Sequence, residues 1–144
     1  MSERTDDRKA SKPRPRPAPE SQPFWEAARA HRLLLPRCNA CGKFWFPPSR
    51  RCPHCLSSDF VWAETSGRGR IYSFVVFHRA YHPAWEGKVP YTVALIELDE
   101  GPVMLSNVIG VDVDDAKLAV GLPVAVAFEA VDESLAIPVF KPAG

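Results

Sequence analysis

The cysteines of this chain stand in two pairs, Cys38-Asn39-Ala40-Cys41 and Cys52-Pro53-His54-Cys55, with ten residues between the pairs. No other feature constrains the fold so tightly. Two thiolates three positions apart on one tight turn grip a metal from one side. A second such turn completes a tetrahedral four-sulfur shell, the arrangement Zn²⁺ takes in structural sites. The intervening stretch falls short of the commonest zinc spacing of about 15–20 residues, yet a β-hairpin needs no more. Gly42 follows the first turn, where a positive φ is often required. A closed shell of four sulfurs leaves no position for substrate, so the metal argues for the folding of a small module and says little about catalysis.

Other uses of the cysteines fit less well. Disulfides need an oxidising compartment, and the N-terminus lacks the apolar core of a signal peptide. A redox C-x-x-C normally stands singly in a βαβ setting. Iron–sulfur clusters use different spacings. Structural zinc is the expected cofactor, with iron in a rubredoxin-like site as the remaining alternative.

The chain is long enough, at 144 residues, for one average domain or two small ones, and 46% hydrophobic residues supply a core. No apolar run approaches the roughly 18 residues of a membrane-spanning helix, and the cytoplasm is the expected location. The net charge of +1 gives no global pull toward nucleic acid or membrane. The distribution says more. Between Ala27 and Ser58 there is no acid, while Arg29, Arg32, Arg37, Lys43, Arg50 and Arg51 stand there. From Glu97 to Glu133 nine acids face one base, Lys117. A basic ribbon meets phosphate, including that of coenzyme A, or an acidic partner; a merely solvated surface is the plain alternative.

Residues 1–22 read as a disordered tail, rich in charge and then alternating proline from Pro13 to Pro19. Residues 23–66 form a helix and zinc ribbon. The helix runs from Pro23 to Leu33, with proline in its first turn and Phe24, Ala27 and Ala28 on one face. Leu34–Arg37 is a strand leading into the first cysteine turn, Phe44–Pro48 is the strand and turn leading to the second, and Asp59–Thr65 is the returning strand. Of Phe44, Trp45 and Phe46, some are expected to cover the metal site and its hairpin and at least one to dock the barrel or a partner. Residues 67–144 are all β: Ile71–His78, Val89–Leu98, Pro102–Ile109, the alternating Leu122–Ala130, and Ile137–Phe140. Asp112–Lys117 is a turn or short helix capped by aspartate. The fold class is mostly β: a short N-terminal helix, a zinc ribbon, and a small five-stranded OB-type barrel with one long first loop, or else a plain β-sandwich.

The chain resembles a family of small proteins built from an N-terminal helix, a rubredoxin-like zinc ribbon and an acyl-CoA-associated OB-fold. The matching residues are Cys38-x-x-Cys41-Gly42, Phe46-Pro47-Pro48, Cys52-Pro53-x-Cys55, Gly69–Phe74, Pro90-Tyr91-x-Val93 through Gly101, and Gly121–Val124 through Pro138–Phe140. The resemblance spans residues 23–141. It implies a non-catalytic, zinc-containing subunit of a thiolase-like enzyme, either a thiolase or a retro-aldolase acting on β-keto- or β-hydroxyacyl-CoA, as in steroid side-chain or aromatic acid degradation. It implies a lipid-transfer-protein-type enzyme subunit as partner, a two-plus-two heterotetramer, and a role in assembly or in binding the CoA ester. A nucleic-acid-binding module and a stand-alone acyl-CoA-binding protein are the alternatives.

With Cys38, Cys41, Cys52 and Cys55 committed to metal, no nucleophilic cysteine remains, and no catalytic residue is assigned. His54 sits inside a cysteine turn and His31 packs on the helix. The loop from Arg79 to Lys88 joins the first two barrel strands, where OB-folds bind ligands. It gathers His78, Arg79, Tyr81, His82, Trp85 and Lys88, a set suited to a ligand or to a protein interface. Arg68 and Arg70 flank Gly69 at the ribbon–barrel junction and are candidates for a phosphate. Phe24 and Trp25 are candidates for a partner-facing apolar surface. Asp112, Asp114 and Asp115 form an incomplete calcium pattern and read as turn residues.

Overall fold

The computed structural model describes residues 12–143. The helix α1, Gln22–Arg29, is followed by a two-stranded ribbon, β1 Leu34–Cys38 and β2 Phe60–Glu64. Five further strands follow: β3 Arg68–Phe77, β4 Tyr91–Leu98, β5 Val103–Val108, β6 Pro123–Asp132 and β7 Leu135–Pro142. Of the expected tail, residues 1–11 lie outside the described residues. Residues 12–18 carry neither helix nor strand, and Pro19–Ser21 form one 3-10 turn that leads into α1.

Pro23 sits in the first turn of α1, where its missing N–H costs nothing. Phe24, Ala27 and Ala28 are buried on one face. The helix ends earlier than the expected Leu33. His31 takes the left-handed position (φ 59°), the Arg32 N–H donates to the Ala27 carbonyl at 2.8 Å, and the His31 N–H donates to the Ala28 carbonyl at 3.0 Å. This is a Schellman ending with histidine where glycine is usual, which is why composition hid it.

In the ribbon, β1 and β2 are antiparallel, from Leu34 opposite Glu64 to Cys38 opposite Phe60. Of the strand and turn expected at Phe44–Pro48, the strand reduces to a single bridge between Phe44 and Arg37. Pro47 and Pro48 have no N–H to extend the ladder.

The remaining strands close into a barrel in the order β3-β4-β5-β7-β6. All pairings are antiparallel except β5 with β7, which meet in parallel at Val108 and Phe140. That order is the OB-type barrel, not a sandwich. β3 pairs with β4 along one edge and, through Arg68–Arg70, with β6 along the other. A bulge between Ile71 and Ser73 supplies the bend that closure requires. Asp112–Leu118 forms turns, with the Asp115 carboxylate accepting from the Lys117 N–H at 2.9 Å. Among the described residues no helix is long and apolar enough to cross a membrane.

One core unites the parts. Ile71, Ala94, Ile96, Met104, Val124 and Phe140 fill the barrel, and Phe24, Leu33 and Leu35 from α1 and the start of the ribbon pack into the same cluster. Phe44 and Phe46 lie against it. Trp45 points the other way, into a second cluster with Cys38 and Cys52. The aromatic run thus serves both sites, as its size suggested.

Gly69 marks the tightest approach of β3 to β4, where a Cβ would run into the Glu97 carbonyl. Gly69→Ala is therefore expected to destabilise the barrel by about 1–3 kcal/mol, the usual cost of overpacking. Thermal melts at equal zinc content measure it. An unchanged midpoint would mean that the two strands part there freely.

Candidate metal centre

Both cysteine turns are built alike. In the first, the Gly42 N–H donates to the Cys38 carbonyl at 2.9 Å, and the Cys41 N–H points at the Cys38 sulfur at 3.4 Å. In the second, the Leu56 N–H donates to the Cys52 carbonyl at 2.8 Å, and the His54 N–H points at the Cys52 sulfur at 3.4 Å. Gly42 (φ 76°) and Leu56 (φ 65°) occupy the same left-handed position. Only the first turn has the glycine that the position favours, so the second was the harder to read from sequence.

The four sulfurs lie within 4.8 Å of one another, with Cys38 and Cys55 at 3.5 Å and Cys41 and Cys52 at 3.6 Å. A tetrahedron with Zn–S bonds of about 2.3 Å has edges of about 3.8 Å, so the set fits zinc. Cys38 and Cys52 are buried while Cys41 and Cys55 are exposed. Trp45, 3% exposed, covers the inner side with its ring 5.2 Å from that of Phe60. Its indole N–H donates to the Ser49 hydroxyl at 3.0 Å, which donates in turn to the Arg51 carbonyl at 2.8 Å. Asn39 holds Asp59 through its side-chain amide at 2.9 Å, tying the first turn to the approach of β2.

The thiols are electrostatically unequal. The Cys41 N–H, with smaller help from the Ala40 N–H and the neighbouring thiols, lowers the Cys38 pKa to about 7 against the effect of burial. At Cys55 the Ser57 N–H pulls downward, but the Cys38 thiol, burial and the other two sulfurs outweigh it and raise the pKa to about 11. Four sulfurs this close carry full charge together only around a cation.

The other candidate residues are dispersed. Phe24 is 4% exposed and belongs to the chain's own core, which corrects its assignment to a partner-facing surface. The small barrel needs this plug. Trp25 is half-buried with its ring edge-on to Phe24 at 5.1 Å. Arg68 and Arg70 are exposed at the start of β3, and the rest of that strand, Ile71 to Phe77, separates them from the loop that follows it. The structure therefore does not bring them to His78 and Arg79, both exposed. His31 stacks on Phe128 at 5.4 Å, and the His54 side chain is exposed.

The β3–β4 loop is an aromatic assembly. His82 caps a 3-10 turn, Pro83–Trp85, accepting the Ala84 N–H at 3.0 Å on Nδ1. Trp85 packs edge-on to His82 at 5.4 Å and lies 6.3 Å from Tyr91. Arg79 rests over Tyr81 at 5.6 Å, and Tyr81 is 74% exposed. Trp85, Lys88, Tyr91, Leu105, Asn107 and Glu129 are among the residues lining a groove of about 730 Å³. A neighbouring lobe of about 370 Å³ shares Trp85 and includes Thr92, whose buried hydroxyl has no hydrogen-bond partner. Sequence reading found Trp85 but missed Tyr91, Asn107 and Glu129, because only the register of β4 with β5 and the closure of the barrel bring them together.

Residues 25–61 match a family model described as "ChsH2, rubredoxin-like zinc ribbon domain", and residues 62–129 match "ChsH2, C-terminal OB-fold domain". A DUF35 domain-containing scaffold protein of Methanocaldococcus jannaschii is 32% identical over 102 residues, covering 70% of each chain. The chain belongs to the DUF35 family. Its four clustered cysteines fall within the matched zinc ribbon domain and are consistent with one structural Zn²⁺. Two longer relatives are hydratase subunits by name. A probable enoyl-CoA hydratase alpha subunit of Thermomonospora curvata is 44% identical over 90% of this chain. The 3-oxo-4,17-pregnadiene-20-carboxyl-CoA hydratase alpha subunit of Mycobacterium tuberculosis is 35% identical over 80% of it. The present chain spans only 40% and 35% of their lengths. Among solved structures, a chain of an "Ltp2-ChsH2(DUF35) aldolase" is 40% identical, with a TM-score of 0.80 over 91% of this chain and all of that one.

Cys38→Ser and Cys55→Ser are each expected to lose the stoichiometric zinc and to melt at lower temperature, because metal binding supplies folding energy to such ribbons. Zinc content by mass spectrometry and a thermal melt test this together. Retention of one zinc with an unchanged melt in either variant would refute it. Leu56→Gly is expected to raise stability by up to about 1 kcal/mol, relieving a left-handed residue that is 69% exposed and has little packing to lose. Denaturant melts read that gain.

Proposed function

We propose that this chain is the non-catalytic subunit of a thiolase-like acyl-CoA enzyme, a thiolase or retro-aldolase acting on a β-keto- or β-hydroxyacyl-CoA of the steroid side-chain or aromatic-acid type. The observation that carries the reading is the end-to-end likeness to the DUF35 chain of the aldolase structure, at 40% identity. Hydration is named for relatives of which this chain spans less than half, and it forms no part of the proposal.

The barrel offers a surface for such a partner. Leu95 and Leu105 stand directly opposite one another on β4 and β5, and both are exposed, Leu105 by 64%. Val103 on β5 and Tyr72 and Val75 on β3 extend the exposed apolar area. A monomer gains nothing from such a patch, whereas a subunit interface uses it. The nucleic-acid reading finds less support, because Glu129 lines the groove beside the OB loops and the C-terminal half of the chain is acidic.

The test is co-expression of the tagged chain with a lipid-transfer-protein-type thiolase subunit, followed by light scattering and acyl-CoA cleavage assays. A two-plus-two assembly that cleaves β-hydroxyacyl-CoA or thiolyses β-ketoacyl-CoA, while this chain alone does neither, supports the proposal. Turnover by this chain alone, or no assembly with any such subunit, refutes it. Titration of acyl-CoA with and without the partner reads whether the ester contacts this chain. The double variant Leu95→Glu, Leu105→Glu is expected to abolish assembly with zinc content and melting unchanged; undiminished assembly would place the interface elsewhere.

A further inference from the structure

Residues 12–17 read Lys-Pro-Arg-Pro-Arg-Pro. Each proline sets its own φ and keeps the preceding residue extended, so the segment favours the polyproline II form and loses little entropy on docking. The structure lays its start across the groove. The Lys12 ammonium sits 5.4 Å from the centre of the Trp85 ring, in the β3–β4 loop. The Arg14 guanidinium pairs with the Asp132 carboxylate and donates to the Ser134 hydroxyl at 2.8 Å, in the β6–β7 turn. Between these two anchors, Lys12 and Pro13 line the cavity. The β3–β4 and β6–β7 connections are the two loops that flank the ligand face of an OB barrel.

We propose that this groove is a recognition site for an extended proline–arginine segment, and that its occupant is the chain's own residues 12–16, held in cis as a strap across the OB ligand face. The acidic side is prepared for a guanidinium. One Asp132 oxygen already accepts the Ser134 N–H and hydroxyl, both at 2.7 Å, while the other faces Arg14. Trp85 supplies the aromatic side, as in other polyproline-binding grooves. Lys12 lines the cavity together with Glu129, and Arg14 pairs with Asp132, so the basic tail segment lies beside acids of the C-terminal half.

Each contact is weak alone, since the Arg14 and Asp132 side chains are 51% and 41% exposed. Tethering provides the rest, because a short linker holds the segment at a millimolar effective concentration. A strap held this way seats in the free chain and yields to a stronger occupant of the same face.

The test is the ¹⁵N–¹H indole resonance of Trp85 in the full-length zinc-loaded chain, identified by its loss in Trp85→Phe. Arg14→Glu leaves Lys12 intact and touches no atom of Trp85. If the strap acts as a unit, Arg14→Glu shifts the Trp85 resonance and leaves those of Trp25, Trp45 and Trp62 in place. Raising salt moves wild type toward the same position, since screening weakens exposed ion pairs. A synthetic peptide of residues 11–18, added at millimolar concentration to Arg14→Glu, returns the resonance toward its wild-type position. A Trp85 resonance identical in wild type and Arg14→Glu at low salt overturns the strap. A shift that the peptide fails to reverse overturns recognition of the segment by the groove.

Discussion

The ribbon depends on four sulfurs gathered within 4.8 Å. β1 and β2 are five residues each, and the loop between them contributes one isolated bridge, too little to hold an independent core. The metal replaces that missing core. Its effect extends past the cysteines, because β1 begins at Leu34 and Leu35 and its far end is Cys38. Fixing Cys38 fixes the strand that delivers Leu35, and behind it Leu33, into the barrel core. Zinc, ribbon and barrel are thus mechanically continuous.

The aromatic residues show how this continuity is packed. Trp45 closes the metal side, while Phe44 and Phe46 turn to the barrel and α1. The Phe46 ring lies 5.8 Å from that of Phe24, so the loop between the cysteine turns is clamped to the helix. An OB barrel of five short strands leaves an end to be covered, and α1 with this loop covers it. Phe24 is spent there, which removes it from any partner surface. Of the apolar residues left exposed, Tyr72, Val75, Leu95, Val103 and Leu105 lie on β3, β4 and β5.

Two surfaces then remain for function. The outward Leu95–Leu105 pair is flat and apolar, suited to a large protein partner. The groove between the β3–β4 and β6–β7 loops is aromatic on one side and acidic on the other. Leu105 belongs to both, since it is exposed on β5 and lines the groove. The proposed partner face and the groove are therefore adjacent.

The amino-acid sequence by itself determined the metal site, the order of ribbon and barrel, and most strands. Ligand spacing within a turn and alternation along a strand are local properties, legible without knowing what packs against them. Local reading failed where the usual signal was missing, as at His31 and Leu56 in left-handed positions, or misled, as with the strand expected at the start of Phe44–Pro48. The tertiary structure alone decided the inward turn of Phe24, the separation of Arg68 and Arg70 from the β3–β4 loop, and the groove. Arg14 and Asp132 are 118 positions apart. They meet only because five strands close in one register, and that closure is a property of the whole barrel rather than of any segment in it.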